Sequence, residues 1–405
     1  MDGPLHRLAI APRAARRCRA RTCLLAGAVV LAALGAAPAE AAGRAVPHGF
    51  YGVIWASEDA PTDAQDQAWD KLAAGGVESV RAVFNWNLAQ QERDGAIRWQ
   101  RTDRVVAAAA ARRMSVMPTV MYVPRWAKQY PEISQSPPLD GSGFAAYGRF
   151  MGELVKRYGP GGSFWAEHPE LAPRPIRHWQ IWNEPHLSDH WWRESKSWVS
   201  KEAGRYGALV RTAYRAVRAV DKGGRIVLAG LTNDSWNKLA EAYRHAGVRG
   251  YFHVAALHMF PSKWRDTAVI VRRFRRALDA RGGAKVPIWV TEMTWPASKG
   301  RASVPPWADT PYYRNFITTE KGAAARLKSA YRLLGQRSFR TRNRLQRVTW
   351  FTALSTYRDD YLWNYCGLLD QSGVRETPAY TAFRASARRD QGCTKDARGA
   401  CRSRR

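Results

Sequence analysis

Residues 104–122 read RVVAAAAARRMSVMPTVMY and join the two patterns that decide the fold. Residues 104–113 place apolar side chains at three- and four-residue steps, which is the period of an amphipathic helix. Residues 115–122 form a short apolar run, which is typical of a strand buried on both faces. A helix that leads directly into a buried strand predicts a parallel sheet with helices packed outside it.

The same alternation extends from this segment in both directions. Seven further apolar runs have the strand pattern, at residues 49–55, 77–84, 176–182, 225–231, 254–259, 287–293 and 347–353. Helical patterns lie between them at residues 144–158, 203–220, 236–246, 268–281 and 323–336. Eight strand–helix units without a linker predict a single-domain α/β protein, a (β/α)8 or TIM barrel. No G-x-G-x-x-G motif follows the first run, which argues against a dinucleotide-binding fold.

The two ends of the chain differ from this central region. Five arginines between residues 13 and 21, an apolar run at 22–37 and small residues at Ala39 and Ala41 predict a signal peptide over residues 1–41. The apolar run is shorter than the ~20 residues that span a membrane, so an uncleaved anchor is the less favoured alternative. We therefore expect a secreted, extracellular protein that could associate with the cell envelope. The barrel is expected over residues 42–388, followed by a short basic tail at 389–405.

The cysteines argue for an oxidised tail and against a metal site. Cys393 and Cys401 flank a short segment and could form a disulfide outside the cytoplasm, which would order the tail. Cys366 would then be a buried thiol. His186 and His190 are four residues apart but lack a third ligand, so no metal and no cofactor are expected and both side chains are expected to contact substrate or solvent.

Two carboxylates stand where predicted strands end. The fourth strand ends in Trp182-Asn183-Glu184-Pro185, and the seventh strand ends at Glu292. Parallel strand ends meet at the barrel mouth, so Glu184 and Glu292 can face each other. Glycoside hydrolysis requires this arrangement, because one carboxylic acid protonates the leaving oxygen while the other carboxylate attacks the anomeric carbon. Retaining enzymes hold the two groups about 5–5.5 Å apart, in environments that push their pKa values apart.

At these residues the sequence resembles glycoside hydrolase clan A, whose catalytic glutamates end strands four and seven. The resemblance extends from residue 49 to about residue 383. It implies that Glu184 is the general acid/base, that Glu292 is the nucleophile and that Asn183 bonds the sugar 2-hydroxyl. It also implies a retaining glycosidase that cleaves β-glycosidic bonds of an oligo- or polysaccharide without a cofactor.

Further positions extend the resemblance. Arg81 and Trp86 resemble an R-x-P-x-x-W pattern in which the arginine supports the nucleophile, and both are expected to contact substrate; an ion pair at the barrel bottom is the alternative for Arg81. Trp350 matches the aromatic floor of the sugar subsite, with a plain core tryptophan as the alternative. Trp295 follows strand seven and is expected to stack on sugar. His258 closes strand six.

One position departs from the clan pattern. The segment His258-Met259-Phe260 stands where an H-x-Y motif is common, so the tyrosine hydroxyl that would bond the nucleophile is missing. Tyr122, Tyr357 or a water is expected to replace it. Tyr122 opens the segment that ends at Trp126, which makes the chain most similar in appearance to family 39 and family 5 relatives.

Composition leaves other functions open. The formal net charge is +30, and a field of that sign attracts polyanions. The substrate could therefore be acidic, although the charge is spread along the chain and we expect no specific nucleic-acid partner, no membrane insertion after signal cleavage and a monomer. Transglycosylation would use the same residues. A noncatalytic carbohydrate- or polyanion-binding protein on the same scaffold is the alternative from another class.

Overall fold

Eight parallel strands form one sheet in the computed structural model, which describes residues 43–56, 62–193, 201–232, 234–304, 306–357 and 361–402. The described residues fall in one compact unit, residues 41–405. The strands are β1 (Tyr51–Trp55), β2 (Ser79–Asn85), β3 (Ser115–Met121), β4 (His178–Ile181), β5 (Arg225–Val227), β6 (Ala255–Met259), β7 (Ile288–Met293) and β8 (Leu345–Trp350). Each lies within or within two residues of its predicted run. The predicted signal peptide lies outside the described residues.

The strand order shows that the sheet curls into a barrel. Neighbouring strands follow the order β5-β4-β3-β2-β1-β8-β7-β6. Two isolated parallel bridges, Val227 to Val254 and Leu231 to Leu257, join the two outer strands. The predicted (β/α)8 barrel is thereby confirmed.

The helices connect successive strands. In the described part of the chain they are α1 (Thr62–Ala74), α2 (Trp86–Ala89), α3 (Gln100–Ala111), α4 (Ser142–Tyr158), α5 (Ser163–Glu167), α6 (Lys201–Val220), α7 (Ser235–His245), α8 (Asp266–Asp279), α9 (Pro311–Phe316), α10 (Glu320–Leu334), α11 (Arg337–Asn343) and α12 (Pro378–Gln391). Helix α8 shows why they form, because Val271, Phe274 and Leu278 are buried while Arg272 and Arg276 are exposed. All six predicted helical patterns correspond to helices.

The C-terminal residues pack against the amino-terminal end of the barrel. Helix α12 crosses the predicted domain boundary at residue 388, and a Cys393–Cys401 disulfide follows it. The ammonium of Lys395 lies 2.9 Å from the carboxylate of Glu78, which also pairs with Arg44 at 2.5 Å. Residues 389–402 are therefore part of the folded unit, because a buried carboxylate beside β2 needs the countercharge that Lys395 supplies.

Helix length also bears on membrane contact. Among the residues that the structure describes, no helix is both long and apolar enough to cross a bilayer.

Candidate active site

The ends of β4 and β7 bring two glutamates together. Glu292 is the fifth residue of β7, and Glu184 lies three residues beyond β4. The backbone has positive φ at Trp182 (69°) and Glu184 (43°), a conformation that costs non-glycine residues energy and is concentrated at functional sites. One carboxylate oxygen from each glutamate and a ring nitrogen of His258 all lie within 4.8 Å of one another. All three residues are buried.

Arg81 organises the nucleophile side of the site. Its guanidinium donates to Oε1 of Glu292 (2.6 Å), to Oε1 of Gln180 (2.6 Å) and to Oδ1 of Asn183 (2.7 Å). The ion-pair alternative at the barrel bottom is therefore wrong, since Arg81 contacts the candidate nucleophile. Because the side-chain oxygen of Asn183 accepts a hydrogen bond from Arg81, the side-chain NH2 group of Asn183 remains as the donor toward a ligand.

His258 stands between the two carboxylates. Its Nδ1 lies 2.5 Å from Oε1 of Glu184, and its Nε2 lies 3.5 Å from Oε1 of Glu292. A register shift between β6 and β7 at Leu257/His258 places the imidazole opposite Glu292. Gly230 leaves room for it, because a Cβ atom at that position would lie 1.9 Å from Nε2 of His258.

A second imidazole contacts the other oxygen of Glu184. Nδ1 of His190 lies 2.8 Å from Oε2. Burial raises the pKa of Glu184, but the charges and hydrogen bonds of His258 and His190 outweigh it and hold that pKa below its usual range. Burial lowers the pKa of His190, but its bond to Glu184 and the nearby carboxylate charges raise it above the ordinary 6.5. These two directions favour an ionised Glu184 beside a protonated His190.

The same three residues carry the donor set for a divalent cation. Glu184, His258 and Glu292 could each offer one ligand atom. Arg81 already places a positive charge 2.6 Å from Glu292, which opposes the entry of a cation there.

Three predicted sugar-contacting tryptophans are buried instead. Trp86 is inaccessible and stacks on Phe150 at 5.5 Å. Trp295 is also inaccessible, and Trp350 has 1% of its surface exposed. The indole N–H of Trp350 donates to the carbonyl of Cys366 at 2.8 Å. The prediction of direct substrate contact is wrong for Trp86 and Trp295 and is not supported for Trp350, because neighbouring side chains cover the rings, those of α4 in the case of Trp86.

The missing tyrosine hydroxyl is not replaced by the side chains expected from the sequence. The hydroxyl of Tyr357 accepts from Arg375 at 2.8 Å, and Tyr122 is half-buried with positive φ (61°). The cationic or polar groups beside Glu292 in the described residues are Arg81 and His258. Phe260 packs on Trp363, with ring centroids 4.9 Å apart.

The sequence did not indicate several residues of this site. Gln180 fixes Arg81, and Gly230 admits His258, yet neither belongs to a recognisable motif. His190 was expected to contact substrate or solvent rather than Glu184. Half-buried rings follow the carboxyl ends of β3, β4, β6 and β8: Tyr130, Trp192, Trp264 and Trp363.

Comparisons with known proteins support the barrel. No family model matches the chain, and no curated protein matches it. A family 39 glycoside hydrolase from Bacteroides cellulosilyticus WH2 superposes with TM-score 0.58 at 15% identity, covering 84% of this chain and 63% of that one. A family 5 (subfamily 18) protein from Streptomyces cattleya, in complex with GlcNAc, has TM-score 0.61 at 17% identity over 85% and 80%. The family 53 catalytic domain from Ignisphaera aggregans has TM-score 0.55 at 16% identity over 84% and 96%.

These similarities concern the fold. The chain spans less than two thirds of the family 39 structure, and identities of 15–17% show a shared architecture. The resemblance to family 39 and family 5 relatives that the sequence predicts is confirmed at that level.

Proposed function

We propose that this chain is a glycoside hydrolase that cleaves a β-glycosidic bond with retention of configuration. The observation that carries the proposal is the approach of Glu184 and Glu292 to within 4.8 Å at one end of the barrel. This spacing supports the close carboxyl pair of a double displacement over the wider pair, about 6.5–9.5 Å apart, that inversion uses.

Each neighbouring group has a part in the proposed reaction. Glu292, held by Arg81, attacks the anomeric carbon and forms the glycosyl ester while the bond to the leaving oxygen breaks. The amide of Asn183 donates to the sugar 2-hydroxyl. Glu184 gives a proton to the leaving oxygen and then takes one from the water that cleaves the ester.

Glu184 must acquire a proton before it can give one. The low pKa of this carboxyl in the free site leaves the proton on His190, 2.8 Å from Oε2. A bound sugar displaces water and adds to the burial that already raises the pKa of Glu184, which favours transfer from His190 to Glu184. His190 is therefore a positioning and proton-holding residue in this proposal.

One observation favours a second candidate, a noncatalytic carbohydrate-binding protein. Two imidazoles stabilise Glu184 as a carboxylate, the form that does not act as an acid. If this candidate is correct, calorimetry detects glycan binding while mass spectrometry detects no products.

Replacement of each glutamate tests the catalytic proposal. Activated aryl β-glycosides should be hydrolysed by the parent protein at least 10²-fold faster than by Glu292→Ala. Glu184→Ala should retain turnover of good leaving groups, and azide should accelerate it. Unchanged turnover by Glu292→Ala removes the nucleophile assignment.

We also propose that the protein is exported and cleaved after Ala41. Support comes from the basic, apolar and small-residue segments of the first 41 residues. N-terminal sequencing of protein collected from the medium should begin at Ala42.

A further inference from the structure

A shallow surface groove has a volume of about 810 Å³. Its walls come from the loop after β7, the first residues of α10 and the loop after β8. Loops that follow strands lie at the same end of the barrel as Glu184 and Glu292. The groove is therefore on the face where a polymeric substrate would lie.

Cations outnumber acids in this groove. Lys299, Arg301, Lys321 and Arg375 line it, against Glu320 and Asp370. The carboxylate of Glu320 is shared by Arg301 (2.6 Å) and Arg375 (3.4 Å). Asp370 lies 3.7 Å from Arg375. Among the described residues of the groove, two positive charges thus remain uncompensated.

The uncompensated charges belong to two exposed lysines. Within the described residues, neither Lys299 nor Lys321 forms an ion pair. Lys321 is the second residue of α10, where the helix dipole adds positive potential. The hydroxyl of Thr319 accepts a hydrogen bond from the backbone N–H of Gly322. The other backbone N–H groups of the first turn of α10 lie at this same end of the helix.

An aromatic ring holds the guanidinium groups in position. The guanidinium carbon of Arg301 lies 4.7 Å from the ring centroid of Tyr357, and Arg375 donates to the Tyr357 hydroxyl at 2.8 Å. Side chains fixed in this way lose little additional rotamer entropy when a ligand binds. The arginine wall of the groove is accordingly rigid, whereas the two exposed lysines carry the uncompensated charge.

The groove also connects to the candidate site. Glu320 and Tyr357 line both the groove and a small cavity against Trp350 and Cys366. Burial and, less strongly, the charge of Glu292 raise the pKa of Cys366 to about 12, as expected if the thiol lies near that carboxylate. The small cavity is thus lined by residues at the ends of β7 and β8, the strand that carries Glu292 and its neighbour.

We propose that this groove is a distal subsite for an anionic sugar of the substrate, which makes the substrate class a β-linked polysaccharide that contains acidic residues. The proposal rests on the proposed function for its claim that the ligand is a glycan. The lysines supply charge attraction, and the Arg301–Tyr357–Arg375 group supplies a rigid wall.

Calorimetry with two matched ligands tests the subsite. The probes are hexamers of β-1,4-linked mannuronate and of β-1,4-linked mannose, which differ in the charge at C6. Binding is measured on Glu292→Ala so that cleavage does not interfere. The mannuronate hexamer should bind about tenfold more tightly. Lys299→Ala combined with Lys321→Ala should weaken its binding about fivefold to tenfold and leave mannose binding unchanged.

A charge-matched variant separates the groove from the general field. Arg272→Ala combined with Arg276→Ala removes two exposed charges from α8 and should change mannuronate binding less than twofold. Equal weakening by both double variants, or no preference for the acidic hexamer, overturns the subsite. In that case the proposed function stands as long as the parent protein hydrolyses neutral aryl glycosides. If the parent protein hydrolyses no glycoside but still binds the acidic hexamer through the two lysines, the proposed function is overturned and the subsite is not.

Discussion

His258 is the residue on which the geometry of the candidate site depends most. It lies 2.5 Å from Glu184 and 3.5 Å from Glu292, so a small displacement changes both contacts. The sequence placed Glu184, Glu292, Asn183, Arg81 and His258 in the site because each ends or faces a predicted strand. It could not show that Trp86 and Trp295 are buried, since their exposure depends on loops that cover them.

Gly230→Ala should disturb this geometry without removing a polar group. The new methyl would lie 1.9 Å from Nε2 of His258, so the imidazole must move. We expect kcat/KM to fall by about 10²-fold and stability to fall by about 1–3 kcal/mol. Gly152→Ala is the control, because its Cβ would meet no heavy atom within 4 Å. An active Gly230→Ala enzyme would show that the position of His258 is unimportant.

His190→Gln tests the origin of the proton. The pKa of His190 is raised, so the imidazole is protonated at pH values below its pKa and loses its proton as the pH rises through that pKa. The pH–activity profile of the parent protein should therefore have an alkaline limb, a fall in activity above pH 6.5. This limb should shift or vanish in His190→Gln. Turnover of poor leaving groups should also fall about 10²-fold.

His186→Gln is the matched control for that experiment. Burial lowers the pKa of His186 to about 3, and its Nε2 bonds Thr232 at 2.8 Å, so it stays neutral near pH 7. Its replacement should leave the alkaline limb in place. The same shift in both variants would refute a proton-holding role for His190.

At the level of elements, short apolar runs predicted the strands well, whereas the order of residues 389–402 depended on the disulfide that the sequence allowed. All eight runs became strands because a barrel strand is buried on both faces and needs a continuous apolar sequence. The segment after α12 lacks such a pattern. Its order comes from the Cys393–Cys401 disulfide and from Lys395 beside Glu78, and these long-range contacts leave no local periodicity.

Glu78→Gln measures how strongly these contacts join the ends of the chain. The variant leaves Arg44 and Lys395 buried without their counterion, which should cost about 3 kcal/mol at pH 7. Burial raises the pKa of Glu78, but its bond to Arg44 and nearby cations lower it overall. The parent protein should therefore lose this stability as pH falls below 4.5, and Glu78→Gln should lack that loss.

Urea unfolding at pH 7 and at pH 4 provides the measurement. Glu153→Gln is the control, because it breaks an exposed pair with Lys156 and should cost at most about 0.5 kcal/mol. Equal stability of Glu78→Gln and the parent protein at pH 7 would contradict a structural role for the C-terminal segment.

Across the whole molecule, positive charge is distributed less evenly along the chain than we expected from the sequence. Residues 62–170 carry a net charge of +1, whereas residues 201–290 carry +12. Residues 291–405 carry a further +13, so the part of the chain from α6 to the C-terminus supplies most of the nonspecific attraction to polyanions, which weakens with salt. This asymmetry is the reason that the charge-matched control for the groove lies on α8.

The barrel and its paired glutamates lead to one decisive measurement. The protein is incubated with 2,4-dinitrophenyl 2-deoxy-2-fluoro-β-glycosides of glucose, mannose and xylose, and its peptides are analysed by mass spectrometry. A retaining mechanism predicts a covalent glycosyl adduct on the peptide that contains Glu292, with no adduct in Glu292→Ala. Turnover of the parent aryl glycosides without an adduct, or an adduct on another residue, would contradict the assignment of Glu184 and Glu292 as acid/base and nucleophile.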